Sequence, residues 1–300
     1  MEEKLLQAHN SHQDISDYVY FSSVVSFANS QYQMILRWTV AMVGAIWGPR
    51  PAGRLNVRLW RLRGHLIKIL LRRTLEPDVL HFIHVPRTGG TSGKRFIREN
   101  GLSGKIFSHY HGTKVYHLNG APWMMLIRDP LERLESSFYQ VEKNWWRGKK
   151  TGLQKKAVSW RLRVFPGLID VAKALSSRSF FARFRAYLAI NAAGELTEPL
   201  ASWVSIADLR KNPPAFVGHH DDTMAMEQYL RSRFEITPVK KRGEQNARAA
   251  REKNSARERR ELQKSALLEF FEVDTLIYKE LSKLTAGDEK IPSKTKREHT

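Results

Sequence analysis

The stretch that most constrains this chain is Val79-Leu80-His81-Phe82-Ile83-His84-Val85 followed by Pro86-Arg87-Thr88-Gly89-Gly90-Thr91-Ser92-Gly93-Lys94. Its first seven residues form a short, mostly apolar, β-branched-rich run, the composition of a strand buried on both faces of a parallel sheet. Pro86 stops that strand. Residues 88–93 hold three glycines and three hydroxyls, and a charged, helix-compatible segment starts at Lys94. The order predicts a central strand, a tight loop and a helix start. Glycines let backbone N–H groups turn inward without Cβ clashes, and a first helical turn adds open donors and a partial positive charge. With Arg87 as a fixed charge and Thr88, Thr91 and Ser92 as hydroxyls, the loop suits a phosphate or a similar tetrahedral anion. Taken alone, such a loop can also be a βα turn that binds nothing.

Spacing excludes a Walker A loop. The residue five before Gly93 is Thr88, and Lys94 is followed by Arg95 instead of the magnesium-binding Ser or Thr. After an apolar strand, Pro86-Arg87-Thr88-Gly89-Gly90-Thr91-Ser92 resembles the 5′-phosphosulfate loop of sulfotransferases that use 3′-phosphoadenosine 5′-phosphosulfate. That fold shares its phosphate cradle with nucleotide kinases.

A second apolar run, Trp123–Ile127, ends in Arg128-Asp129-Pro130-Leu131-Glu132-Arg133-Leu134-Glu135-Ser136-Ser137-Phe138. A proline early in a helix is well tolerated, so a helix is expected to open there. Arg128 then leaves a strand end, and Ser136 sits about two turns along, on the side of Arg133, where the pair can grip one anion. The pattern R-D-P-x-x-R-x-x-S-x-F resembles the sulfotransferase 3′-phosphate motif. Both motifs occur in the family's order, each after a strand. Carried over residue by residue, the resemblance implies donor binding by Arg87, Thr88, Gly89, Gly90, Thr91, Ser92, Arg128 and Ser136.

Between the motifs lies Tyr110-His111-Gly112. With the RDPLERL segment it resembles the uronyl 2-O-sulfotransferase branch, in which a Y-H-G segment carries the histidine thought to act as base. The match falls on His111. His109, two residues away and on the same side of an extended segment, is the competing candidate. Family loops usually carry lysine where this chain has Arg87. Arginine stays protonated and cannot give a proton to a leaving phosphate, so Arg87 can act only as an electrostatic clamp, with Lys94 as a substitute donor.

With 300 residues and 42% hydrophobic composition, the chain can bury one large α/β core. The expected architecture is α/β, a parallel sheet flanked by helices in the sulfotransferase relative of the P-loop kinase fold, with a helical N-terminal lead and a C-terminal helix. Residues 1–76 read as a helical extension, 77–285 as the sulfotransferase domain and 286–300 as a disordered tail.

There is no cysteine, which excludes disulfides and thiolate metal sites and favours a reducing, cytoplasmic setting. Met34–Gly48 is apolar, but it is interrupted by Arg37 and is shorter than the roughly 20 residues of a membrane span; it reads as a buried or interfacial helix. Leu55–Arg73 repeats leucine at 55, 59, 62, 66 and 70, with Arg58, Arg61, His65, Lys68 and Arg72 on another face. A basic amphipathic helix of this kind either packs on the sheet or lies peripherally on anionic membrane.

Trp145, Trp146, Arg147, Lys149, Lys150, Lys155 and Lys156 put aromatic planes beside cations, which suits a carbohydrate acceptor bearing carboxylates or sulfates. Inward-turned tryptophans are the equal alternative. His219-His220-Asp221-Asp222 is too contiguous to converge on a metal, and Asp221 or Asp222 serves as a helix N-cap, so no metal is expected. Lys240-Lys241-Arg242-Gly243 is either a solvated charge run or a loop that closes on the 3′-phosphate. A net charge of +20 calls for an anionic partner. Nucleic acid is the main non-enzymatic alternative, disfavoured by the absence of any finger, helix-turn-helix or ribonucleoprotein motif; a nucleotide-dependent kinase is the other alternative.

Overall fold

Among the described residues, four short strands, each parallel to its neighbours, run in the order β2-β1-β3-β4. They are β1 (Leu80–Ile83), β2 (Ile106–Ser108), β3 (Trp123–Ile127) and β4 (Phe216–His219). A computed structural model describes residues 34–71, 79–109, 114–146, 159–191, 198–236 and 265–285. Every residue of β1 and β3 is buried, which is why β3 is an unbroken apolar run and β1 an apolar run interrupted only by the buried His81. Phe82 pairs with Ser108 on one side and Met124 on the other, and Met125 pairs with Val217.

The helices in these segments are α1 (34–47), α2 (Pro49–Leu71), α3 (Gly90–Glu99), α4 (Pro130–Trp146), α5 (159–164) and α6 (Leu168–Leu175). They continue with α7 (Phe180–Asn191), α8 (Ile206–Lys211), α9 (Thr223–Phe234), α10 (Ala266–Phe270) and α11 (Glu272–Thr285).

Successive strand residues point to opposite faces, so the sheet divides its apolar side chains between two layers. Leu80, Phe82, Met124 and Leu126 pack with Phe96 and Ile97 of α3 and with Met226 and Leu230 of α9. Ile83, Trp123, Met125 and Ile127 pack with Trp203, Val204 and, from α11, Ile277 and Leu281. The result is an α/β molecule with a parallel sheet flanked by helices. A separate helical core joins Leu36 and Val40 of α1, Trp60 of α2, Leu134 and Phe138 of α4, Val171 of α6, Tyr187 of α7 and Phe270 of α10. Helices within the expected lead of residues 1–76 therefore share a core with helices from the middle and end of the chain.

Several boundaries shift for local reasons. The first motif helix starts at Gly90, four residues before Lys94, because Gly89 takes the left-handed turn that redirects the chain. The expected C-terminal helix is divided at Phe271, whose N–H still donates to Leu267 O. The α2 face is also not the one its leucines suggest. Leu55 and Leu59 are half-buried against the helical core, but Leu62 and Leu66 are 52% and 47% exposed. Asn56, Trp60 and Arg63 are buried in their place, with the Arg63 guanidinium 4.8 Å from the Trp60 ring. Arg61 pairs with Asp208 at 2.5 Å and donates to Ala201 O, so this basic face is partly spent inside the protein.

Among the described residues, no helix is long and apolar enough to cross a membrane. Asp222 caps α9 by accepting the Ala225 N–H at 3.0 Å. Residues 1–33, His111, Arg147 to Lys156, the cluster Lys240–Gly243 and residues 286–300 lie outside the described residues, as do the side chains of Trp145 and Trp146.

Candidate anion-binding site

From β1 the chain runs through α3 to β2 on one flank, then returns to the other flank of β1 as β3. Loops leaving two adjacent parallel strands in different directions open a crevice beyond their carboxyl ends, the usual ligand position in an open α/β sheet. Here α3 lies on the Phe82 layer, whereas α4 leads towards the helical core. The two sequence motifs are the loops at that switch point.

The first loop is held in shape from within. Thr88 is buried and its hydroxyl donates to Val85 O at 2.8 Å, so it braces the loop instead of facing the crevice. Gly89, at φ 79°, is the N-cap of α3 and has no side chain to cap with; its carbonyl accepts the Ser92 and Gly93 N–H groups. A Cβ on Gly90 would lie 1.8 Å from His84 Cδ2, so the histidine ring fills the place a side chain would need. Thr91 and Ser92 are exposed at the opening of α3. Arg87 itself adopts a left-handed φ of 69°, a conformation that costs a non-glycine residue free energy and is typical of ligand-binding turns. Lys94 is half-buried, and burial pushes its ammonium below the ordinary value.

In the second motif, Asp129 caps α4, accepting the Leu131 and Glu132 N–H groups at 3.0 and 3.1 Å, with Pro130 as first helical residue. Arg128 is 14% exposed and lies 3.6 Å from Glu132, which holds its guanidinium at the strand end. Arg133 departs from the expected partnership with Ser136. It is buried, donates to Glu198 O at 2.5 Å and lies 3.6 Å from Asp274 on α11. Burial pushes the Asp274 carboxyl up and the Arg133 guanidinium down, each opposed by the other's charge. Lys114 and Glu198 form a second buried pair in the same interior, the ammonium lying 3.4 Å from the Trp203 ring.

Ser136 meets Arg87. Nε and Nη2 of Arg87 donate to Ser136 Oγ at 3.0 and 2.7 Å. A serine oxygen has two lone pairs and one proton; with both lone pairs occupied by one guanidinium, the proton is left for a further acceptor. Beyond the carboxyl ends of β1 and β3 the two loops therefore bring Arg87 onto Ser136, with Arg128 at the end of β3 and the exposed Thr91 and Ser92 at the opening of α3. That set is suited to an anion with more than one acidic group.

His109, the competing base, is buried, and its Nε2 lies 2.7 Å from Nδ1 of His81, also buried. It is built into the β1–β2 layer as half of a histidine pair. Two supports went unread in the sequence: His84 beneath Gly90, and His220, whose carbonyl would lie 3.1 Å from a Cβ on Gly89. The His220 contact arises only once β1 and β4 flank β3, whereas His84 meets Gly90 within the single segment that joins β1 to α3.

Comparisons with known proteins return no relative: no family model matches the chain, and no curated protein or solved structure matches it.

Proposed function

We propose that the chain is a sulfotransferase that moves a sulfuryl group from 3′-phosphoadenosine 5′-phosphosulfate to a hydroxyl of a carbohydrate acceptor, on the sulfotransferase variant of the P-loop kinase fold. The observation that carries this reading is the contact of Arg87 with Ser136. The resemblance assigns Arg87 to the 5′-phosphosulfate and Ser136 to the 3′-phosphate, two groups carried on one ribose, and the contact joins residues 49 positions apart. The donor set fits such a bisphosphate: two guanidinium groups, the α3 terminus without a side-chain cap, and the exposed Thr91 and Ser92.

When bound, the donor supplies the activated sulfuryl group. Arg87, which keeps its proton, clamps negative charge at the loop while Gly89, Gly90, Thr91 and Ser92 present amides and hydroxyls to it. Arg128 and Ser136 hold the 3′-phosphate. His111 takes the proton of the acceptor hydroxyl as its oxygen attacks. The excess of positive charge, +20 over the whole chain, draws an anionic acceptor towards the site.

Calorimetry separates this reading from its alternatives. Adenosine 3′,5′-bisphosphate is expected to bind about tenfold or more tightly than ATP, the discrimination one charge-assisted contact provides. Tighter binding of ATP would instead identify a nucleotide-dependent kinase. Failure of both nucleotides, with a salt-sensitive shift of DNA, would identify a nucleic-acid-binding protein.

A further inference from the structure

The helix α1 is apolar on both of its sides. Leu36, Val40 and Ala41 are buried in the helical core and Ala45 is buried under Arg183, which donates to its carbonyl, as a packed helix requires. On the outer side Ile35, Trp38, Met42, Ile46 and Trp47 are between 42% and 66% exposed, where a helix that only packs would carry charges. The surface continues onto α7. The Trp38 ring lies 5.2 Å from Phe184, Phe184 stacks on Phe180 at 6.0 Å, and Phe180 touches Phe181, which is 69% exposed. Contiguous apolar surface of this kind marks an interaction site.

Charge identifies the occupant. No acidic residue occurs between Asp17 and Glu76, a span that contains both α1 and α2, and none occurs in α7. Arg178 and Arg185, beside Phe181 in sequence, are exposed. Glu269 of α10 and Glu272 of α11, which face the start of α2, are paired with Arg50 and Arg54 at 3.7 and 3.6 Å. A second copy of the chain would set one acid-free face against another, which like charges disfavour. An anionic lipid surface accepts both features at once: tryptophan and aliphatic side chains enter the headgroup boundary while arginines meet the phosphates.

We propose that α1, together with Phe181, is a membrane-docking face that lies in the plane of an anionic lipid surface. This does not depend on the sulfuryl-transfer reading. It also locates docking on α1, not on the leucine stripe of α2.

A chain with this net charge adsorbs to anionic vesicles electrostatically, so the test must isolate insertion. Full-length protein is sedimented with phosphatidylcholine vesicles with and without phosphatidylglycerol, at low and high salt. The wild type is expected to require phosphatidylglycerol and to retain a salt-resistant bound fraction. The triple variant Ile35→Ser, Met42→Ser, Ile46→Ser is expected to lose that fraction, binding at least about tenfold more weakly at high salt. Brominated lipid should quench wild-type tryptophan fluorescence, a readout that stands if the triple variant does not fold. Complete release of the wild type by salt, an unchanged triple variant that is folded, or absence of quenching would each overturn the proposal. So would a vesicle-free dimer in light scattering that the triple variant abolishes.

Discussion

The Arg87 guanidinium donates two hydrogen bonds to one oxygen, Ser136 Oγ, and thereby ties the loop after β1 to the helix after β3. Residues in direct contact do not act additively. Arg87→Ala and Ser136→Ala should each weaken adenosine 3′,5′-bisphosphate binding by about tenfold to a hundredfold, and the double variant by less than their product, with a coupling of at least about 0.5 kcal/mol. Calorimetry of the four proteins measures it. Independent effects would mean that the two motifs serve separate sites.

Arg128 lies at the β3 end and is braced by Glu132. If it holds the 3′-phosphate, Arg128→Ala should cost binding of adenosine 3′,5′-bisphosphate about 1.5–3 kcal/mol and leave adenosine 5′-phosphate nearly untouched. Equal losses for both ligands would remove the assignment.

The two histidines separate by the kind of damage they cause. His111→Ala should leave nucleotide affinity near wild type and lower turnover by about 10²–10⁴-fold, the usual contribution of a general base. His109→Ala breaks a buried bond to His81, so it should cost about 1–3 kcal/mol in urea denaturation. A stable His109 variant without turnover would move the base two residues upstream.

Gly90 is tied to His84 by space. Gly90→Ala drives a Cβ into the His84 ring and should destabilise the fold by about 1–3 kcal/mol. Combining it with His84→Ala should recover part of that loss relative to the sum of the single changes. A sum that holds strictly would show that the loop moves aside instead.

Arg133 belongs to the same motif as Arg128 and Ser136, yet it faces the interior and Asp274. Asp274→Ala should destabilise the protein by about 3–5 kcal/mol, because it leaves a buried guanidinium without its counter-charge. At temperatures where the variant stays folded, nucleotide affinity should be unchanged. A selective loss of affinity would return Arg133 to the ligand site.

Local chemistry made much of this readable in advance. Trp123–Ile127 is a strand residue for residue, because burial on both faces leaves no room for a polar position. Pro130 opens α4, where its missing N–H costs nothing, and Asp222 caps α9 through a bond from Ala225, three residues on. Other features depend on which strands become neighbours. The approach of Arg87 to Ser136 requires β3 beside β1, and the pairing of His81 with His109 requires β2 on the opposite flank. Neither adjacency has a local signature. The inward turn of Thr88 and the outward turn of Leu62 were equally hidden, since a hydroxyl suits a carbonyl or a ligand, and a leucine suits a core or a surface.

Asp274 does more than neutralise Arg133: its carboxylate also receives the N–H groups of Leu200 and Ala201, at 2.8 and 2.9 Å. Two distant parts of the chain, α4 and the segment at Leu200–Ala201, thus wait on one residue of α11. During translation, which proceeds from the N-terminus, α4 is made long before its counter-charge. Until α11 is made, Arg133 of the growing chain therefore lacks the Asp274 carboxylate, and closure of the domain is deferred until α11 arrives. Removing α11 would not trim the protein but would leave it in that unfinished condition, a substrate for chaperones and proteases.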